Sequence, residues 1–223
     1  MTIITCVLRS GGDFKPCHVE RLACQVAEHA PRVDLICLTD QVERVSALGV
    51  KAVPLANAWL GWFAKLEIFR LPGPCLYLDL DVTILGDLSP LLEAAAEHEF
   101  VMCRGFWGVD DPSHVNSSVM GWSGDAGHLY REFLSAPKAH MSVYSNSRKW
   151  GDQAFIRDNH GDHIDLWQLV LPGKIASYKR GALMGEDLSD CRVLVSHGQP
   201  RPWGPGGADQ WLAKKRPVPA LSA

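Results

Sequence analysis

The residues with the clearest chemical potential are two aspartates, Asp79 and Asp81, that follow an apolar run beginning at Cys75. Residues 75–80 are typical of a buried strand of a parallel sheet, and open α/β sheets bind ligands at the C-terminal ends of such strands. Two carboxylates about 4 Å apart repel each other by roughly 1–4 kcal/mol. We therefore predict that a divalent cation lies between this pair and an anionic ligand, as in a metal–diphosphate site.

Carboxylate oxygens favour hard or borderline cations, so Mn²⁺ or Mg²⁺ is the expected ion. The alternative for the pair is purely structural: one aspartate caps the following turn and the other is solvated.

The elements that position these aspartates follow from the spacing of apolar residues. Residues 3–8 and 33–38 are predicted strands, and Val19, Leu22 and Val26 recur between them at helical spacing. A strand–helix–strand order favours a parallel, right-handed unit. Further helices are predicted at 62–69, 88–98, 126–134 and 151–159, and further strands at 100–103, 119–122, 175–178 and 192–196. The sequence thus predicts a three-layer α/β/α domain with a mostly parallel central sheet.

Composition limits the other possibilities. The chain of 223 residues has a formal net charge of −3, which gives no reason to expect nucleic-acid binding. We expect one domain over residues 1–205 and a Pro-rich tail over 206–223. The seven cysteines are scattered without a CxxC pair, which indicates buried thiols in a reducing, cytoplasmic setting. No run approaches the ~20 apolar residues of a membrane span. Lys214, Lys215 and Arg216 allow at most peripheral membrane contact.

Five separated segments carry a resemblance to a known family. They read LRSGGDF at 8–14, AKL at 64–66, YLDLD at 77–81, NSSV at 116–119 with GDQ at 151–153, and HGQPRPW at 197–203. In this order and spacing the chain resembles the GT-A-fold (Rossmann-like) glycosyltransferases that use nucleotide-diphospho-sugars. It is most similar to the glycosyltransferase family 8 type, which includes glycogenin and bacterial lipopolysaccharide galactosyltransferases.

The resemblance implies a role for each matching residue. Metal ligands would be Asp79, Asp81 and His197, holding Mn²⁺ or Mg²⁺. Residues near the donor nucleotide and its diphosphate would be Leu8, Arg9, Phe14, Thr39, Asp40, Lys65, Leu80, Gly198 and Arg201. Residues facing the donor sugar and the reaction centre would be Asn116, Asp152 and Gln153.

Within the donor set, Phe14 would stack on the base, and Leu80 would contribute backbone contacts to the ribose or base. Arg201 replaces a lysine that contacts the diphosphate in the family, and arginine is itself a bidentate phosphate binder. Each assignment has a structural alternative. Phe14 would then be a core residue, Lys65 a surface lysine with a buried stem, His197 a surface histidine, and Asp152 the cap of the 151–159 helix.

Two positions depart from the family pattern. Ser118 replaces a glycine that lets the backbone approach the sugar, and the usual spacing after the histidine is contracted to His197-Gly198. Because of these departures, the resemblance does not fix the identity of the sugar donor or of the acceptor, nor the alignment of His197 with the family's histidine.

The implied function is metal-dependent transfer of a hexose from a nucleoside-diphosphate sugar, with UDP as the expected nucleotide, to an acceptor hydroxyl with retention. The acceptor stays open between a glycan, a lipid-linked sugar and a protein. One alternative is a haloacid-dehalogenase-type phosphatase using Asp79, because residues 79–83 fit its Asp-x-Asp-x-Thr motif. Another is a non-catalytic module that only binds nucleotide-sugars. A sugar nucleotidyltransferase shares the fold class, but its Gly-rich, Arg-containing start is not matched here.

Overall fold

The fold was obtained as a computed structural model, which describes residues 2–106, 114–145, 151–161 and 163–215. In chain order the strands are β1 (Ile3–Leu8), β2 (Leu35–Thr39), β3 (Lys51–Pro54), β4 (Cys75–Leu78), β5 (Val82–Ile84), β6 (Phe100–Arg104), β7 (Val115–Trp122), β8 (Asp165–Leu166), β9 (Ile175–Ser177) and β10 (Val193–Val195). The α-helices are α1 (Pro16–His29), α2 (Val42–Ser46), α3 (Ser89–Glu97), α4 (Gly127–Ser135), α5 (Pro137–Tyr144), α6 (Asp152–His160), α7 (Trp167–Val170) and α8 (Ala208–Lys215). Two 3₁₀ helices cover Gly61–Arg70 and Ala182–Met184.

The central sheet has seven strands in the order β3-β2-β1-β4-β7-β6-β8. Strand β7 runs antiparallel to both of its neighbours, and all other pairs are parallel. A second sheet has the order β5-β10-β9. The predicted mostly parallel sheet is therefore confirmed, and the carboxyl ends of β1, β2 and β4 meet at one edge, where such sheets bind ligands.

Packing on both faces of the central sheet gives the three predicted layers. In β1, Ile4, Cys6 and Leu8 belong to the core that also contains residues of α1 and α3, whereas Ile3 and Val7 pack on the opposite core. That opposite core includes residues of the 61–70 helix, α4 and α6. Alternation along the strand sends successive side chains to the two faces, so each face is covered by helices.

The structure differs from the sequence-based expectation in several short elements. The helix at residues 61–70 has 3₁₀ geometry, and β3, β5, α2 and α5 were not predicted. Helix α8 lies inside the segment expected to be an irregular tail. It is held by tertiary contacts: Ala208 is fully buried, and Asp209 pairs with Arg21 of α1. Arg216 and the rest of the tail lie outside the described residues. None of the helices in the described ranges combines the length and apolar character needed to cross a bilayer.

A buried glutamate fixes the loop that leads to the 61–70 helix. Glu67 is fully buried, and its two carboxylate oxygens accept the backbone N–H groups of Ala56 and Asn57 at 2.6 and 2.7 Å. Arg70 supplies the neutralising charge at 2.7 Å. Because a buried carboxylate is tolerated only when it is paired and hydrogen-bonded, this residue ties the loop to the helix.

We expect Glu67→Gln to lower the free energy of unfolding by about 2 kcal/mol, because one of the two partly buried backbone N–H donors would then face an amide NH₂ group instead of a carboxylate oxygen. The measurement is urea unfolding followed by circular dichroism. Glu97→Gln, at an exposed position on α3, is the control and should change stability by less than about 0.5 kcal/mol. Equal effects of the two substitutions would contradict the role assigned to Glu67.

Candidate active site

The predicted segments converge on one cavity of about 710 Å³ at the carboxyl edge of β1 and β4. The predicted site residues that line it are Arg9, Phe14, Lys65, Asp79, Asp81, Asn116, Asp152, Gln153, His197, Gly198 and Arg201. Those whose side chains do not line it are Leu8, Thr39, Asp40 and Leu80. The cavity thus unites residues from both ends and the middle of the chain.

The buried ammonium group of Lys65 contacts several side chains that line this cavity. Its Nζ lies 3.0 Å from Asp79 Oδ1 and 3.0 Å from Asp152 Oδ2, and it donates to Ser117 Oγ at 2.9 Å. Ser117 Oγ in turn donates to Asp152 Oδ2 at 2.6 Å. Although burial by itself lowers the pKa of Lys65, the carboxylates of Asp152 and then Asp79 raise it above its ordinary value. Lys65 is therefore a buried, permanently charged bridge and not a surface lysine.

Asp79 receives a second hydrogen bond from Tyr77, whose hydroxyl lies 2.6 Å from Asp79 Oδ1. Burial and the Asp79 charge both raise the pKa of Tyr77, so its hydroxyl stays protonated and acts as a donor. Tyr77 and Asp79 are two positions apart and therefore project from the same face of the extended chain. This period-two spacing is the signal by which Tyr77 could have been recognised from the sequence.

A β-bulge places the segment from Asn116 to Ser118 against this centre. Between β6 and β7 the register jumps from Met102 opposite Met120 to Cys103 opposite Asn116. The Asp79 N–H then donates to the Ser118 carbonyl at 2.8 Å. Bulges of this kind redirect side chains, and here the shifted segment brings Ser117 to Lys65. Ser117 was not predicted, and nothing in its local sequence announces the bulge.

Asp81 is bound by an arginine from far along the chain. Its carboxylate is buried and forms an ion pair with Arg201, which also lies 3.2 Å from Asp13. The Arg201 guanidinium carbon lies 4.8 Å from the centre of the Phe14 ring. Burial and the neighbouring Asp79 raise the pKa of Asp81 to about 6, with Arg201 and Lys65 acting in the opposite direction.

Phe14 is half-buried and lines the cavity, where its ring also meets the edges of His18 and Trp203. His18 and Trp203 stack on each other with ring centres 3.7 Å apart. Trp203 therefore packs the segment that carries Arg201 against the start of α1.

His197 lines the cavity from the far end of the chain, with its backbone at φ 36°. A left-handed backbone is uncommon outside glycine and persists only where surrounding contacts hold it. Its Nε2 lies 2.6 Å from Ser177 Oγ, and Lys179 donates to its carbonyl at 2.8 Å. Burial, and then the charge of Lys179, lower the pKa of His197 to about 4. The imidazole is thus neutral at pH 7.

At the nucleotide end of the predicted site, Asp40 contacts the first loop instead of the cavity. It pairs with Arg9 at 2.9 Å and accepts the Ser10 N–H at 2.9 Å. Leu8 and Leu80 are core residues and Thr39 is buried. Leu8 and Thr39 end β1 and β2, and Leu80 lies in the turn between β4 and β5. Any contact of these three residues with the donor nucleotide would therefore have to come from their backbone atoms, as was expected for Leu80.

The remaining predicted residues are those expected to face the donor sugar. Asp152 is the first residue of α6, whose N-cap is Gly151, and no side chain caps this helix. Asp152 therefore does not act as a helix cap. Gln153 follows it and lines the cavity. Asn116 accepts the Ser118 N–H at 3.0 Å. Ser118 has no positive φ, so its backbone adopts this conformation without needing glycine.

The donor types of Asp79, Asp81 and His197 fit a hard or borderline cation, since they offer carboxylate oxygens and a neutral imidazole. As arranged, however, these groups contact Lys65, Arg201 and Ser177. Within the described residues, no three His, Cys, Asp or Glu side chains lie together as metal coordination would require. The residue types therefore suit Mn²⁺ or Mg²⁺. In the structure, however, Asp79 is paired with Lys65 and Asp81 with Arg201.

The sheet order, the covering helices and the cavity at the strand ends define the GT-A fold of nucleotide-sugar glycosyltransferases, as predicted. Several solved structures share it. The galactosyltransferase LgtC, solved with donor and acceptor sugar analogs, has a TM-score of 0.68 at 13% identity, over 99% of this chain and 98% of its own. The glycosyltransferase GlyE of Streptococcus pneumoniae TIGR4 has a TM-score of 0.62 at 14% identity, over 100% of this chain and 67% of its own.

Mouse xyloside xylosyltransferase 1 is also similar, with a TM-score of 0.55 at 13% identity over 88% of this chain and 98% of its own. Searches with protein-family models and among curated proteins gave no match. At these identities the likeness establishes the fold.

We expect the Lys65–Asp152 pair to couple strongly in a double-mutant cycle of Lys65→Met and Asp152→Asn. Removing one partner leaves a buried charge without its counterion, so the coupling energy should be about 1.5–3 kcal/mol. The measurement is urea unfolding of the wild type, both single variants and the double variant.

The pair Lys174–Asp190, with the same 3.0 Å separation but a largely exposed aspartate, is the matched control. Its cycle of Lys174→Met and Asp190→Asn should give at most about 1 kcal/mol. Coupling of the same size in both cycles would show that Lys65 is not a buried electrostatic centre.

Proposed function

We propose that the protein is a glycosyltransferase that moves a hexose from a UDP-sugar to the hydroxyl group of an acceptor. The observation that carries the proposal is the convergence of the Asp79/Asp81 pair, the Lys65 and Arg201 cations and the Asp152-Gln153 pair on one cavity. This cavity lies at the ligand-binding edge of a GT-A fold. The cytoplasmic location expected from the seven cysteines stays a prediction.

Lys65 and Arg201 are the cations that would face the leaving diphosphate. Positive groups held in place where negative charge grows stabilise the transition state without reorganising. The planar guanidinium of Arg201 suits phosphate oxygens, and its contact with the Phe14 ring holds it at the cavity wall. Phe14 itself offers a flat ring to the base.

We propose Asp79, Asp81 and His197 as the residues that would hold Mn²⁺ or Mg²⁺, an ion that would supply charge neutralisation for the diphosphate. Arg201 would have to release Asp81 first, because the two now form an ion pair. Arg201 would then be available to the diphosphate. The neutral form of His197 is the one that binds metals.

We propose that the anomeric configuration is retained because the acceptor attacks the face of the sugar from which the diphosphate leaves. A double displacement needs a carboxylate nucleophile beneath the anomeric carbon, but the residue expected there is Gln153, whose amide is a poor nucleophile. The carboxylate of Asp152 is held by Lys65 and Ser117, which favours orienting sugar hydroxyls over attack. In the proposed step the acceptor oxygen bonds to the anomeric carbon as the diphosphate leaves, and its proton passes to the leaving phosphate oxygen.

The two alternatives fare differently. A phosphatase using Asp79 as the nucleophile is disfavoured, because Lys65 and Tyr77 both engage Asp79 Oδ1 and the fold is that of glycosyltransferases. A module that binds the nucleotide-sugar without transfer would keep the same residues. It would bind UDP with Mn²⁺ by calorimetry and release no sugar from any UDP-sugar.

We expect Asp81→Ala to lower Mn²⁺-dependent UDP-sugar hydrolysis by at least about 100-fold, because it removes a carboxylate proposed to hold the ion at the leaving group. The measurement is UDP release from a panel of UDP-hexoses. Asp34→Ala, at an exposed position remote from the cavity, should retain full activity. Undiminished hydrolysis by Asp81→Ala would refute the assignment of Asp81.

We expect Arg201→Gln to act in opposite directions on two ligands. Mn²⁺ alone should bind about tenfold more tightly, since Asp81 loses a competing cation, whereas UDP in the presence of Mn²⁺ should bind about tenfold more weakly. Electron paramagnetic resonance of free Mn²⁺ and calorimetry with UDP measure the two effects. Arg201→Lys, which restores the family residue, should retain UDP binding. Weaker binding of Mn²⁺ alone by Arg201→Gln would contradict the competition.

A further inference from the structure

We propose that Trp62, with Leu60 beside it, is the platform on which the acceptor stacks, and that the acceptor is therefore a pyranose carbohydrate. The proposal rests on the proposed function and names the substrate class that the site would take as acceptor. It depends on three features: an exposed apolar rim, its position next to the sugar end of the cavity, and the absence of charge along that rim.

The rim consists of large apolar side chains that are open to solvent. Leu60 is 67% exposed and Trp62 is 63% exposed, although both line the cavity. From Phe63 to Phe69 the same helix is buried. Within the described part of the chain, the Trp62 indole has no stacking, cation–π or hydrogen-bond partner. Exposed apolar groups at the edge of a cavity are typical of ligand contact.

Trp62 is placed directly beside the proposed reaction centre. A Cβ atom built on Gly151 would lie 2.7 Å from Trp62 Cε3, so the indole packs on the glycine backbone. Gly151 has φ +69° and immediately precedes Asp152 and Gln153. A side chain here would be strained and would also displace Trp62. The glycine thus allows the indole to approach the two residues expected to face the donor sugar.

The chemistry of this rim matches a sugar ring. An indole presents a broad, flat face with negative charge density, and one face of a pyranose presents C–H groups that are slightly positive. Residues 60–62 carry no charge, whereas charged residues such as Lys65 and Arg201 line other parts of the cavity. The amide side chains of Asn116 and Gln153 line the same cavity and can bind ring hydroxyls.

The rim is also held firmly, as a binding platform requires. The carboxylate of Glu67 binds the backbone N–H groups of Ala56 and Asn57, a few residues before Leu60. The Asn57 side chain donates to the Tyr130 hydroxyl at 3.0 Å. Little ordering would thus be needed when the acceptor binds, which favours affinity.

The first test is saturation-transfer difference NMR on the protein with UDP and Mn²⁺. The probes are methyl β-galactoside, methyl β-glucoside, methyl α-mannoside and lactose. At least one sugar should receive saturation, concentrated on the C–H protons of one ring face. Trp62→Ala should abolish the transfer and Trp62→Phe should retain it. Leu169→Ala, which removes a side chain that is 66% exposed outside the cavity, should leave it unchanged.

The second test separates acceptor binding from donor chemistry. Trp62→Ala should raise the KM for the bound sugar about tenfold, a larger factor than its effect on kcat or on acceptor-free UDP-sugar hydrolysis. If the wild type neither binds UDP nor hydrolyses any UDP-sugar, the proposed function itself fails. If the wild type hydrolyses a UDP-sugar but transfers saturation to none of the probe sugars, the acceptor proposal is overturned and the donor site stands. The same holds if Trp62→Ala leaves the KM for the acceptor unchanged. Transfer to a peptide or a lipid alone would overturn it in the same way.

Discussion

The site depends on one constraint: three charged side chains, Lys65, Asp79 and Asp152, must share a largely buried place at the cavity wall, where they are 11%, 22% and 6% exposed. Each charge would be costly to bury alone, and together they are tolerated because every contact is close to 3 Å. Ser117 and Tyr77 occupy further lone pairs of the two carboxylates. The network therefore ties the 61–70 helix, the end of β4, the bulge in β7 and the start of α6 into one rigid unit.

A second charge pair, Asp81 with Arg201, closes the other side of the cavity and differs in character. Arg201 is partly exposed and lies on the Phe14 ring, so it can change partners at low cost. The site thus combines Lys65, a cation held by two carboxylates, with Arg201, a cation whose contacts can exchange, and both line the cavity. Arginine suits this position because its planar guanidinium can pair with Asp81 and stack on Phe14 at the same time.

Much of this arrangement could be predicted from the sequence, because the strongest signals are local. The apolar runs of β1, β2 and β4 and the Asp-x-Asp pair fixed the sheet edge and its carboxylates. The prediction failed where long-range contacts decide the outcome. Helix α8 forms in a Pro- and Gly-rich region because Asp209 reaches Arg21, and the short strand β5 exists only through its pairing with β10. Likewise Ser117 enters the site through a register shift, and Glu67 is explained only by the N–H groups it meets.

The ion pair between Arg201 and Asp81 joins positions 120 residues apart, and that between Arg21 and Asp209 joins positions 188 apart. The central sheet needs neither of them, since its strands all precede residue 167. During synthesis the sheet can therefore form on a nascent chain whose pocket still lacks one wall. Such an intermediate would expose Phe14 and His18, and only arrival of the segment that carries Arg201 and Trp203 would cover these two side chains. Completion of the cavity is in this sense a late step of folding, because its lining extends from Val7 to Arg201.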